Sequence, residues 1–504
     1  MRRKPNLVFI FTDQQRSDTL ACYGNEQIRM PFLNSLADES FVFENAYVTQ
    51  PVCTPSRSSI MTGLYPHTNG CWQNNMSLPR ELPTLAEMVS DDYLCAYYGK
   101  WHLGDEIIAQ HGFEQWVSIE DYYRRFYSKE EYLSLFSSYH HFLLDHGFRP
   151  DLERVGALVF DRVKTALLPE PYTKARFLGR EAARFIHENR TRPFILYVAF
   201  LEPHTPYVGP LGDLYPPESL PVAPHFRQKP AENAALIHRM LADHYMDRGF
   251  MYGQDLTTET GCRRIRAQYW GNITLVDRAV GEILQALQET GLSDTSLVVF
   301  TSDHGDMMGD HGIFEKCVLY EEAVKAPLVV RVPWLGKEMR RISGRISQID
   351  LVPTLLELMG ESVPEGLQGQ SRAAVFYEGT ASGERSSLEG NDVFIEWQGP
   401  DGRPARYFGG GDSDLKEPMD ETTRSWEEKW ERVRDPWRSV VSAEGWKLNL
   451  SISDRCELYD LNTDPGEMHN LFDNREQRGR IRDLLDRIRQ WQAQTGDTAA
   501  LPAL

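Results

Sequence analysis

Disulfide chemistry has little to work with in this chain. Its 504 residues hold seven cysteines, at 22, 53, 71, 95, 262, 317 and 456, and no two share a metal-type spacing. So sparse and odd a set excludes a disulfide framework and suits a reducing compartment. Long apolar runs are also missing, and no stretch approaches membrane-spanning length. The start, Met1-Arg2-Arg3-Lys4-Pro5, looks like the basic end of a signal peptide, yet the run Leu7 to Phe11 is too short for its apolar core. A cytoplasmic protein is expected. No basic stripe appears, and a net charge of −19 excludes nucleic acid as a partner. Anionic small molecules stay open, because a local cation cluster can reverse the sign inside a cleft. Internal repeats are absent. What remains is ordinary for a soluble protein, 41% hydrophobic and 25% charged, and long enough for one large domain and a smaller one.

Four runs carry the architecture: Asn6 to Thr12, Tyr93 to Tyr98, Pro193 to Phe200 and Ser296 to Ser302. Each is continuously apolar over strand length, the mark of a strand buried on both faces of a parallel sheet. Helical spacing lies between them, above all from Arg264 to Thr290, where Ile273, Val276, Val280, Ile283 and Leu287 share one face. An α/β fold with a large, mostly parallel sheet sandwiched by helices follows. Ligands in such folds gather at the carboxyl ends of strands. The runs lead there into Asp13-Gln14, Gly99-Lys100-Trp101-His102, Glu202-Pro203-His204 and Asp303-His304. Asp and Gln oxygens with one imidazole suit a hard divalent cation. Taken singly, Asp13 is a helix cap, Lys100 and Lys316 are solvated charges, and His204 is a loop residue bonded to backbone.

One stretch stands apart, Gln50 to Gly63. Thr54 is a good N-cap, Pro55 fits a first helical position, and Gly63 suits a left-handed C-terminal residue. That puts Cys53 just before a helix N-terminus, where negative charge is favoured, with the Arg57 fork one turn inside. Cys53 could be a small buried hydrophobe or a thiolate nucleophile. The phosphatase loop of the latter kind has five residues between Cys and Arg, whereas three lie between them here.

Cys53-Thr54-Pro55-Ser56-Arg57 with the following Ser58 to Pro66, and the hexapeptide Gly99 to Gly104, resemble the signatures of the type I, formylglycine-dependent sulfatases of the alkaline phosphatase superfamily. The resemblance implies an alkaline phosphatase-like catalytic domain over 1–375, with insertions at about 105–185 and 208–262. A smaller α+β subdomain with an antiparallel sheet would occupy 376–504, its strands at Ser439 to Leu450 and Glu457 to Leu461 and its helix at Arg475 to Gln494. Between the two lies a polar stretch from Arg372 to Asp435 that contains Gly409 to Gly411.

By the same resemblance, a maturation enzyme converts Cys53 to formylglycine. One divalent cation, calcium first and magnesium or manganese as alternatives, sits on Asp13, Gln14, Cys53, Asp303 and His304. Cys53, Arg57, Lys100, His102, His204 and Lys316 are the catalytic set. Asp303 would take a proton from the nucleophile, His204 and Lys316 would serve the departing alcohol, and His102 would help expel sulfate. Sugar, choline and aryl sulfates all remain as substrates. A phosphonate monoester or phosphodiester hydrolase of the same superfamily is the alternative, disfavoured by the intact Lys-Trp-His loop. A non-catalytic binding protein of the same fold is the third reading. The aromatic-rich insertion, including Tyr122 and Tyr123, is expected to lie over the site mouth, packing on the main domain rather than stacking on substrate.

Overall fold

In the computed structural model, which describes residues 4–378, 387–399, 429 and 433–503, the four apolar runs become neighbouring strands of one nine-stranded sheet. The elements that matter here are β1 (Asn6–Asp13), β2 (Phe41–Tyr47), α1 (Cys53–Thr62), β3 (Leu94–Gly99), β4 (Gln115–Ser118), α2 (Lys174–Glu188), β5 (Phe194–Pro203) and α3 (Glu259–Glu289). They continue with β6 (Ser296–Ser302), β7 (Leu328–Arg331), β8 (Arg340–Ser347) and α4 (Leu351–Met359). Strands β6, β1, β5, β3 and β4 lie side by side in parallel. Strand β7 then runs antiparallel between β6 and β2, and β8 is parallel to β2.

Every residue of β1 is buried because both sheet faces are covered. Val8 and Ile10 face the layer holding α2 and α3, while Leu7, Phe9 and Phe11 face the layer holding α1 and α4. This is the sandwich that the apolar runs imply, and the parallel register puts Asp13, Lys100, His204 and Asp303 at one edge.

Helix boundaries move where caps decide them. The short helix ahead of β3 spans only Leu85–Met88, because Thr84 and Glu87 close a capping box and Val89 is extended. Helices α2 and α3 start earlier than their apolar spacing suggests, at caps made by Thr173 and Thr258.

The C-terminal part is a four-stranded antiparallel sheet, β9 (Val393–Trp397), β10 (Trp437–Val441), β11 (Trp446–Leu450) and β12 (Glu457–Asp460), packed by α5 (Arg478–Thr495). The stretch from Ser439 to Leu450, expected as one strand, is two. Gly445 takes a left-handed φ of 85° and folds it into a hairpin. Gly409 to Gly411 lie outside the described residues.

Candidate active site

The site grows from two strand ends. Asp13 closes β1, and the Asp303 amide beyond β6 donates to the Thr12 carbonyl at 3.0 Å, which sets the two carboxylates side by side. Helix α1 begins one residue before the expected cap. The Ser56 amide already bonds the Val52 carbonyl, and the Thr54 hydroxyl instead crosses to the His102 carbonyl at 2.7 Å. Cys53 is therefore the first helical residue, and Gly63 ends the helix in the left-handed conformation. Cys53 Sγ lies 3.6 Å from Asp13 Oδ1 and 3.2 Å from His304 Nε2. The thiol points at the strand ends rather than into the core.

Arg57 locks this arrangement. Its Nε donates to Asp303 Oδ2 at 2.9 Å, one terminal nitrogen to Asp13 Oδ2 at 2.9 Å and the other to the Lys100 carbonyl at 2.6 Å. A planar fork with all three nitrogens engaged fixes both carboxylates at once. Lys100 Nζ adds a contact to Asp13 Oδ2 at 2.6 Å. Lys100 and His102 both serve the site because the loop turns between them. Gly99 opens the turn at φ 124°, where an added Cβ would sit 1.9 Å from the Ala199 carbonyl oxygen. His102 itself is left-handed, at φ 56°. Glu106 secures the turn, its two carboxylate oxygens accepting from the Trp101 amide at 2.9 Å and the His102 amide at 2.6 Å. The His102 ring stacks on Tyr123 at 4.2 Å, and its Nε2 meets Asn75 Oδ1 at 3.0 Å.

His204 completes the opposite wall, with Nε2 3.9 Å from Asp13 Oδ1 and Nδ1 2.8 Å from the Thr205 carbonyl. Lys316 donates to the side-chain oxygen of Gln14. The Gln14 backbone, at φ 71°, gives its amide to Asp303 Oδ1 at 2.9 Å, while its side-chain nitrogen meets Tyr207 at 2.6 Å and Asp306 at 2.5 Å. Every residue expected in the site is thus present at the β1–β6 edge, with the Gln14 amide group turned toward Lys316, Tyr207 and Asp306.

Three permanent cations, Arg57, Lys100 and Lys316, face two carboxylates. Burial alone would raise Asp13, but the charges of Lys100 and Arg57 hold it well below the usual carboxylate range. Burial and the Asp13 charge push the Cys53 thiol up, and Lys100, Lys316 and His304 more than reverse them, leaving it below its ordinary value. Burial and the neighbouring lysines hold His102 and His204 far below the usual imidazole range, so both rest neutral. Such a pocket favours an added anion.

Asp13, Cys53, Asp303 and His304 bring one ligand atom each to within 4.8 Å of one another, all buried. Two carboxylates and an imidazole fit a divalent cation. Asp13 Oδ1 meets the Cys53 thiol at 3.6 Å and the His204 and His304 Nε2 nitrogens at 3.9 Å, and is placed to take a cation.

Sequence reasoning passed over Glu106, Asn75, Tyr207 and Asp306. Asp306 follows the Asp303-His304-Gly305 run directly and could have been weighed with it. Glu106 and Asn75 act on a loop's backbone and ring, which leaves no local pattern.

Residues 5–361 match the Sulfatase family model. The sulfatase YidJ of Escherichia coli (strain K12) is 27% identical over 505 residues, spanning 94% of this chain and 84% of its own. The phosphonate monoester hydrolase of Agrobacterium radiobacter has a similar fold, with a TM-score of 0.73 at 22% identity over 97% of this chain and 96% of that one. A protein solved in complex with its substrate D-glucosamine-2-N,6-O-disulfate gives 0.74 at 20% identity over 98% and 99%. With the match running across the strand ends that carry the site, the chain belongs to the sulfatase family of the alkaline phosphatase superfamily and is a sulfuric ester hydrolase.

Proposed function

We propose that the protein cleaves a sulfate ester to alcohol and inorganic sulfate by covalent catalysis at residue 53. The observation that carries this is Cys53 Sγ at 3.6 Å from Asp13 and 3.2 Å from His304, inside a ring of Arg57, Lys100 and Lys316. Oxidation of Cys53 to formylglycine would supply an oxygen nucleophile through its hydrate, and a divalent cation on Asp13, Gln14, Asp303, His304 and residue 53 would lower that hydroxyl's pKa and neutralise the ester. Calcium is the first choice, magnesium and manganese the alternatives.

The chain's own residues divide the remaining work. Arg57 and Lys100 hold residue 53 and the sulfate oxygens. Asp303, bonded to Arg57 and to the Gln14 amide and with a carboxylate oxygen within 4.8 Å of the residue-53 nucleophile, is the proton acceptor. Lys316 stays charged, since Cys53 and Asp13 outweigh the effect of its burial, and it is the donor for the departing alcohol. His204 spends Nδ1–H on the Thr205 carbonyl and faces the leaving group with Nε2 as an acceptor, so it orients the alcohol before it can donate. His102, neutral and braced by Tyr123 and Asn75, is placed to take a proton when sulfate leaves.

Cys53 is 1% exposed, so a maturation enzyme would reach it only before the chain folds around it. All seven cysteines are buried and none forms a disulfide, which supports the cytoplasmic reading. No helix among the described residues is long and apolar enough to cross a membrane.

Sulfate release from 4-nitrophenyl sulfate, set beside hydrolysis of phenyl phosphonate esters, tests the reading. Faster sulfate release is expected. A preference for the phosphonate would move the assignment to the monoesterase branch that the Agrobacterium enzyme represents. Intact mass reports the state of residue 53.

A further inference from the structure

The chain beyond β6 helps to build a second cluster of metal-ligating side chains, made of other residues than the catalytic one. His225, His311 and Glu322 each bring a ligand atom to within 4.8 Å of the others. The backbone draws them together. The His311 amide donates to the His225 carbonyl at 3.0 Å, the Arg227 amide donates to the Gly309 carbonyl at 2.8 Å, and Phe226 pairs with Asp310 in a β-bridge. Glu322 enters from the short helix Glu321–Val324.

His225 Nε2 and Glu322 Oε1 stand 2.7 Å apart, and that hydrogen bond accounts for the pair. It does not account for His311. That ring is 1% exposed, yet neither of its nitrogens has a hydrogen-bond partner among the described residues. Stacking on Tyr320 at 3.9 Å and on His225 at 4.8 Å holds the ring but satisfies neither nitrogen. The second oxygen of Glu322 is unpartnered as well. Buried polar groups left so cost stability, and one ion would satisfy them together.

Arg16 does not fill this role. Its nitrogens are spent on Asp18, on Asp310 and on the Asp306 and Met307 carbonyls, and Asp310 also meets Arg266. Among the described residues, the one ion-pair partner of Glu322 is His225. Glu322 also lines a cavity of about 390 Å³, whose wall sets Arg16, Lys325 and Arg345 against Asp18, Glu321 and Glu322. A wall so balanced gives a cation a way in without repelling it.

We propose that His225, His311 and Glu322 form a second metal site, for zinc or a similar transition ion and not for calcium. Two imidazoles and one carboxylate are a zinc set with a fourth position for water, whereas calcium asks for six or more oxygens. Ligands at about 2.0 Å on a tetrahedral ion lie about 3.3 Å apart, so His225 and Glu322 are nearly in place and His311 has to close in. The ion's work is structural. It ties the segment around His225 to the chain between His311 and Glu322, which carries Lys316.

The test is titration of the calcium-loaded enzyme with cobalt(II), then zinc(II). Cobalt should bind with the visible bands of a four- or five-coordinate ion and without thiolate charge transfer, which would mark Cys53 instead. Zinc should displace it and raise the melting temperature. His311→Gln and Glu322→Gln should each weaken this binding by about 100-fold or more, since even outer-shell partners are worth about 10- to 100-fold. His304→Gln, which strips the catalytic site, should leave it in place. A wild type that takes up no cobalt in excess calcium overturns the site, and that measurement needs no variant to fold. Binding that survives in H311Q, or is lost in H304Q, overturns it too. The site stands apart from the sulfatase chemistry, so its failure would leave that reading intact.

Discussion

The floor and the rim of the active site use the same chemistry, arginine against carboxylate and ring, but are held in different ways. On the floor, Arg57 is wholly buried and places its three nitrogens on Asp13, Asp303 and the Lys100 carbonyl. All three acceptors stand at the ends of central sheet strands, so none can move without the sheet. At the rim, Arg162 leans on Tyr122 and Tyr123 and shares Glu120 with Lys174, on a segment of short turns between β4 and α2. The floor is over-determined because misplacing a charge there costs desolvation with no compensation. A rim still touched by water tolerates exchange at lower cost.

The sharpest separation should come from Cys53→Ala. Sulfate release should fall by about 10⁴-fold or more, with circular dichroism and melting temperature nearly unmoved. Substantial residual turnover would remove the covalent step. Next, Arg57→Met strands two buried carboxylates and should cost about 3–5 kcal/mol in urea unfolding. Arg162→Met should cost less, about 2 kcal/mol, because Lys174 still pairs the buried Glu120. Equal losses would break the comparison. Chelation should lower activity and melting temperature together, by about 2.7 kcal/mol if the cation had been present at a hundred times its Kd, with calcium restoring both.

A pH-dependent effect belongs to Glu106, under the catalytic loop. Burial pushes its carboxyl up to about 7 against the bonds it accepts from Trp101 and His102. A carboxyl raised on folding stabilises the native state fully below its unfolded value, 4.5, and loses that contribution as pH rises through its folded value, about 7. The melting temperature of the wild type should therefore decline over this window by the equivalent of about 3 kcal/mol, and Glu106→Gln should flatten the decline. The smallest change is expected at the outer end of the rim. Arg154→Ala should cost under about 1 kcal/mol, the value of one exposed cation–π contact.

Much of the floor could be read before folding, since Asp13, Lys100, His204 and Asp303 each follow an apolar run closely, and such runs become adjacent parallel strands. The antiparallel course of β7 could not be, because Leu328–Arg331 is as apolar as its parallel neighbours. The start of α1 was misjudged at Thr54, whose hydroxyl finds a better acceptor across the loop in His102. The side chain of Gln14 follows Lys316, Tyr207 and Asp306, three residues remote from it in sequence. The tyrosines of the insertion were expected to pack on the main domain; Tyr123 does stack on His102, while Tyr122 lies against Arg154 and Arg162 of the insertion itself.

The chain's local order, then, settled the central parallel strands, the cysteine motif and the family, because apolar period, turn residues and motif spacing act between neighbours. Only the folded molecule decided which carboxylate each cation holds, which histidines rest neutral and which rings the arginines lie against. Those depend on Coulomb attraction and loss of water between groups that the sequence separates and the sheet brings together.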